Sequence, residues 1–169
     1  KEDQWLRLYN CKLMLLKGDS EGALKSIKQI IKKKNQEFWA WSLLGDIITI
    51  NDSKKAILCY QHAINLSKIP TAVVNVREKL AKLLALQNKH PEAIVQIIKA
   101  LELRKKLGSN KISNDLTQMI NSNWYKEHLN TKLPKEIDVS NQVIDIIYVD
   151  DDLVLKTGVV DNQNQTKKL

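Results

Sequence analysis

At 169 residues, with 43% apolar and 27% charged positions, the chain has the composition of a soluble folded protein. Its longest apolar run falls far short of the ~20 residues that a membrane span needs, and no secretory signal is visible. The net charge of +8 is uneven: residues 135–169 carry four Lys against seven Asp/Glu, or −3, which leaves +11 on the first 134 residues.

Residues 3–17 carry Trp5, Leu8, Tyr9, Leu13 and Leu16 at helical spacing. Gly18-Asp19-Ser20 breaks that pattern and caps a helix over 21–34, with apolar groups at Ala23, Leu24, Ile27, Ile30 and Ile31. The run Lys32–Lys34 ends that helix, where cations meet the negative end of its dipole. A third helix runs from Phe38 to Ile50 with Trp41, Leu44 and Ile48 in line, and Asp52-Ser53 caps a fourth over 54–67. After a break at Lys68-Ile69-Pro70, residues 71–87 are helical through Val76, Leu80, Leu83 and Leu84. His90-Pro91 opens a sixth helix that Gly108 ends. Ser113 caps a seventh over 114–128, with Leu116, Met119, Ile120, Trp124 and Tyr125.

Residues 129–142 are polar, contain Pro134 and read as a linker. The β-branched run 143–149 and the stretch 153–160 read as strands, and 161–164 as a turn. A half-made sheet cannot satisfy its own edges. Because the chain starts at Lys1 and stops one strand into a hairpin, the natural protein is expected to continue.

Cys11 and Cys59 each lie inside an apolar helical pattern and lack metal-ligand companions, so two buried free thiols in a reducing, cytoplasmic compartment are expected. An abundance of Ile, Lys and Asn hints at an AT-rich bacterial source.

One pattern recurs through the helical part. Ala23, Ala56 and Ala93 each stand three residues after a helix-start residue (Ser20, Ser53, His90) and four before a bulky apolar one (Ile27, Tyr60, Ile97). Ile30, Ala63 and Ala100 follow three residues later. Spacings of 33 and 37 residues between the alanines (56 − 23 and 93 − 56) mark stacked helix pairs. The fold class expected is all-α: a right-handed helical-repeat solenoid of three helix pairs plus a capping helix over 1–128. A linker over 129–142 and an incomplete β segment over 143–169 follow.

The helical part resembles the tetratricopeptide repeat (TPR) family over about residues 4–106. The middle unit carries the match, with Trp41, Leu44, Gly45, Ala56, Tyr60 and Ala63. Leu80, Ala81, Leu84, Ala93, Ile97 and Ala100 take the same places in the third unit, and Gly18, Ala23 and Ile27 in the first. Ile48 replaces the usual tyrosine, and Asn10-Cys11 stand where leucine and glycine are expected. Gly45 and Ala56 are small where two helices approach closely.

The resemblance implies a groove lined by the first helix of each pair. By position it would present Trp5, Leu8 and Lys12, then Trp39, Ser42 and Asp46, then Asn75, Glu78 and Lys82. A clamp for a chaperone's terminal carboxylate is rejected, since Leu8, Lys12, Leu43, Asn75 and Lys79 occupy its places and Lys79 alone keeps the expected type. Trp39 stands two residues before Trp41, and residues two apart do not share a helix face. It either points to the groove as an anchor or packs on the preceding repeat.

The stretch from Leu153 to Val160, with Gly158, Asp161-Asn162-Gln163 and Lys167-Lys168, resembles the opening of an OB-fold or cold-shock-like barrel over about 17 residues. No aromatic stacking platform accompanies it. His62, His90 and His128 have no Cys or carboxylate at metal or triad spacing, and Asp150-Asp151-Asp152 reads as a solvated loop. No phosphate-binding glycine loop is present. The expectation is a non-enzymatic scaffold with no cofactor, no metal and no small-molecule substrate, binding a peptide or partner subunit in its groove. The competing reading is nucleic-acid binding through the +11 body and the barrel-like tail, against which stands ordinary solvated lysine.

Overall fold

The structure, a computed structural model, describes residues 4–109 and 111–148. Those residues are helical with no strand among them. The elements are α1 Gln4–Leu16, α2 Ser20–Lys33, α3 Phe38–Ile48, α4 Ser53–Leu66, a 3-10 turn Pro70–Val73, α5 Val74–Leu86, α6 His90–Lys106, α7 Asn114–Asn121, α8 Asn123–His128, and α9 over 140–148. Each of α1 to α5 packs on the next helix along the chain; α7 then lies on α5 and α8 on α6.

Local chemistry sets the starts. Asp19 Oδ1 accepts from Gly22 N at 2.8 Å, and Asp52 Oδ1 accepts from Lys55 N at 2.9 Å, satisfying donors that a helix start leaves unpaired. Ser113 Oγ does the same for Leu116 N at 3.2 Å. The α6 start has no side-chain cap; Pro91 in its first turn removes one donor instead. Where the chain turns from α5 to α6, Asn88 takes the left-handed conformation at φ 57° that Gly18 takes after α1.

Ala23, Ala56 and Ala93 are fully buried, as the recurring pattern requires, and so are Ala63 and Ala100. Cys11 and Cys59 are free and buried. The larger apolar cluster runs from Leu8 and Cys11 through Ile27, Trp41, Leu44, Tyr60 and Leu80. A second gathers Ala81, Ile94, Ile97, Leu116, Met119 and Tyr125, and Trp124 packs against both. Trp124 also stacks on His90 at the start of α6, ring centroids 4.6 Å apart. The last helices therefore cover α5 and α6.

Three expectations need correction. The single helix expected over 114–128 is two, broken at Ser122, which is extended (φ −70°, ψ 153°). Its hydroxyl donates to Met119 O at 2.6 Å, ending α7, and accepts from Tyr125 N at 3.4 Å, starting α8. The strand expected over 143–149 is helical up to residue 148. Val139, Val143, Ile146 and Ile147 are buried in the larger cluster while Ile144 and Tyr148 are exposed, so burial follows a period of 3.6 rather than 2. The stretch 129–142, expected as a linker, lies against the body: Asn65 Nδ2 donates to Ile137 O at 3.3 Å, and Val139 is fully enclosed. The expected strand 153–160, the turn after it and the barrel-like resemblance lie outside the described residues.

Candidate functional site

The residues expected in a groove come from α1, α3 and α5, and the structure treats them unequally. Trp5 lies on α1, with its side chain outside the described residues. Leu8 is buried in the larger cluster and presents no binding surface: with Cys11 it faces the body, and the exposed large apolar groups among the described side chains of α1 are Leu6, Tyr9, Leu13 and Leu16. Lys12 is exposed, its Nζ 5.9 Å from the Tyr9 ring centre. Glu78 is also buried, turned toward α6, where Arg104 Nε donates to it at 2.5 Å; Asn75 Oδ1 accepts from the same guanidinium at 3.2 Å. A buried carboxylate needs such a partner, and the need overrides the groove position.

Trp39 and Trp41 part as residues two apart on a helix do. Trp41 is buried, its Nε1 donating to Asn35 O at 2.7 Å and its ring edge-on to His62 at 4.6 Å. Trp39 is half-buried against the larger cluster, its Nε1 donating to Glu37 Oε2 at 2.9 Å. Ser42, one turn on, is half-buried.

Asp46, at the next turn, joins two helices. It accepts from Tyr60 Oη at 2.7 Å and from Lys79 Nζ at 2.7 and 2.8 Å. Burial and the Asp46 charge push the Tyr60 phenol well above its ordinary range, so it stays a donor. Lys82 Nζ meets Asp115 at 2.8 Å. Asp46–Lys79 ties α3 to α5 and Lys82–Asp115 ties α5 to α7, both across 33 residues. Asp46 and Lys82 thus belong to rungs that join α3 to α5 and α5 to α7, with the signs reversed from one rung to the next.

A second cluster was not legible in the sequence. Glu136, on the segment after Pro134, receives Arg77 Nη1 at 2.5 Å, Gln96 Nε2 at 2.8 Å and Lys99 Nζ. Arg77 Nη1 also donates to Gln96 Oε1 at 2.6 Å. Partial burial pushes the Glu136 carboxyl up, but the hydrogen bonds from Lys99, Arg77 and Gln96 and the charge of Arg77 outweigh it and bring the group down to about 2. This clasp pins 134–137 across α5 and α6. Further on, Ser140 Oγ lies 3.5 Å from His62 Nδ1, and Lys32 Nζ sits 5.5 Å from the Tyr148 ring centre, so the chain runs back over α4 to α2.

The clasp is therefore part of the folded unit, and the family comparison includes it: the family model of a domain of unknown function, DUF7017, matches residues 4–140. The chain belongs to the DUF7017 family. No curated protein matches it. The DUF7017 match spans both the rungs joining α3, α5 and α7 and the Glu136 clasp.

No group of three His, Cys, Asp or Glu that would hold a metal ion is found among the described residues. His128 Nδ1 lies 2.9 Å from Trp124 O beside the His90 ring, and His62 is buried against Trp41. Burial lowers the His62 pKa, an effect that Asp138 opposes. No helix among the described residues is long and apolar enough to cross a membrane.

Proposed function

We propose that this chain is a non-enzymatic interaction scaffold of the TPR kind, a right-handed solenoid of helix pairs holding a peptide or a partner subunit along its first helices. The observation that carries the reading is the division of labour in α3, where Trp41 is core and Trp39 is left half-buried beside Ser42 and Asp46. A partly exposed Trp on a rigid helix is a low-entropy anchor, and the interhelical rungs keep neighbouring first helices in fixed register around it. Recurrence of rungs at 33 residues supports the repeat reading. Neither a metal nor a cofactor enters the proposal.

The test is selection of peptides from a random displayed library on the immobilised chain. Selected peptides are expected to lose about 2 kcal/mol or more of affinity on Trp39→Ala. Peptides indifferent to Trp39, or no peptides together with salt-sensitive binding of single-stranded oligonucleotides, would transfer the function to the basic outer surface.

A further inference from the structure

A cleft of about 380 Å³ lies away from the first-helix surface, between α4 and α6, with α5 as its floor and residues 134–137 across one end. Its size falls in the range of small-ligand sites. Leu80 and Leu84 form the floor, Ile57, Leu58 and Val95 line the walls, and Gln61, Gln96 and Gln142 add amide groups to the lining.

The two ends differ. At one, Pro134 and Ile137 close over Ile64 and Asn65, and the Glu136 clasp fixes that closure. At the other, α4 and α6 both begin, and Gln87 Nε2 donates to Ser53 Oγ at 3.0 Å across the turn. Lys54 and Lys89 line this open end, and neither ammonium group makes a hydrogen bond or ion pair among the described residues. Glu92 is the opposing carboxylate there. Asp52, nearby, is occupied in capping α4 and lies 3.8 Å from Lys55 Nζ. Lys135 stands at the far end, on the crossing segment.

We infer that this cleft is a binding site for a small amphiphilic carboxylate, its headgroup between Lys54 and Lys89 and its apolar stem lying over Leu84 toward Ile137. The physical case has three parts. Two ammonium groups without a partner among the described residues make the open end favourable for an anion. The apolar walls reward a stem that leaves water. The pinned segment 134–137 blocks the far end, so a long peptide cannot run through, whereas a short stem entering end-on is accommodated.

The experiment is calorimetric titration of the full chain with decanoate, with decanol as the uncharged control. Saturable decanoate binding at least about tenfold tighter than decanol is expected, with the preference lost in Lys54→Gln/Lys89→Gln and kept in Lys135→Gln. Val95→Trp should fill the cleft and abolish both interactions; Leu58→Trp, from the opposite wall, serves the same end if Val95→Trp does not fold, as judged by melting. No saturable decanoate binding, equal binding of decanol, or binding that survives the filled cleft each overturns the proposal.

Discussion

The Tyr60 ring occupies the space that a side chain at position 45 would need: a Cβ on Gly45 would come within 2.6 Å of Tyr60 Cε1 and 2.8 Å of Cδ1. The ring is held there by its hydroxyl, which donates to Asp46 at 2.7 Å and lies 3.3 Å from Thr49 Oγ1. Gly45 is thus small for a packing reason, inside a helix where alanine would otherwise be preferred. On propensity alone Gly45→Ala would stabilise by roughly 1 kcal/mol. Overpacking against a tethered ring costs roughly 1–3 kcal/mol and decides the sign. Thermal or urea unfolding should therefore find Gly45→Ala destabilised, and Gly45→Ala in a Tyr60→Leu background should regain the propensity gain. An additive double mutant would mean that the ring and the glycine do not meet.

The C-terminal helix offers a sharper contrast. Ile144 and Ile146 would share one face of a strand, yet Ile146 is 4% exposed and Ile144 is 51% exposed. Ile146→Ala is expected to cost about 2–5 kcal/mol by opening a cavity in the larger cluster. Ile144→Ala should stay within about 0.5 kcal/mol, as surface changes do. Comparable losses at the two positions, measured by denaturant midpoints, would restore the strand.

These two cases also mark what the sequence made legible. Buried small residues at Ala23, Ala56 and Ala93 and the capping aspartates are local or periodic features readable from spacing, whereas the close approach at Gly45 is what the tetratricopeptide resemblance implies. In 143–149 two cues compete: β-branched composition argues for a strand, while Val139, Val143, Ile146 and Ile147 follow helical spacing, and tertiary burial sides with the spacing. Glu78 fails as a groove residue because position in a repeat does not reveal a partner such as Arg104 on the next helix, and Leu8 fails because it is buried in the larger apolar cluster. The Glu136 clasp joins Arg77 across 59 residues, and the cleft unites α4, α6 and a segment of turn-like composition. No local pattern announces contacts at that separation.

The clasp predicts a pH dependence. The Glu136 carboxyl is brought from its ordinary 4.5 to about 2 in the folded chain. A depressed carboxyl contributes stability that is fully present above its unfolded value and is lost as pH falls through the folded one. The contribution should therefore be constant near neutrality and disappear between about 4.5 and 2. Glu136→Gln should lower stability at neutral pH by roughly 1–3 kcal/mol, the range for losing hydrogen bonds to a charged group. Denaturation of both proteins across that acid window should find their difference shrinking toward zero at its lower end. A difference that stays constant with pH would mean that the carboxylate charge is not what pins the segment.

The two tryptophans of α3 test the functional reading and the packing at once. Trp41 fills the core with its indole nitrogen bound to the Asn35 carbonyl, so Trp41→Ala removes a large buried volume and leaves that carbonyl short of a donor. The expected cost is about 3–5 kcal/mol of stability. Trp39 is half-buried, and its indole bond goes to the neighbouring Glu37 side chain. Its truncation should cost less stability than that of Trp41, because part of the residue is already exposed to water. If Trp39 anchors a partner, peptides selected on the wild-type chain should bind Trp39→Ala more weakly by about 2 kcal/mol or more, with the melting curve little changed. Trp39→Phe should recover part of that affinity, since it keeps an aromatic face while giving up the bond to Glu37. Melting and peptide affinity measured on all three variants separate the outcomes. Equal stability losses for Trp39→Ala and Trp41→Ala would make Trp39 a packing residue, whereas a folded Trp39→Ala with undiminished affinity would remove the first-helix surface from the proposed function.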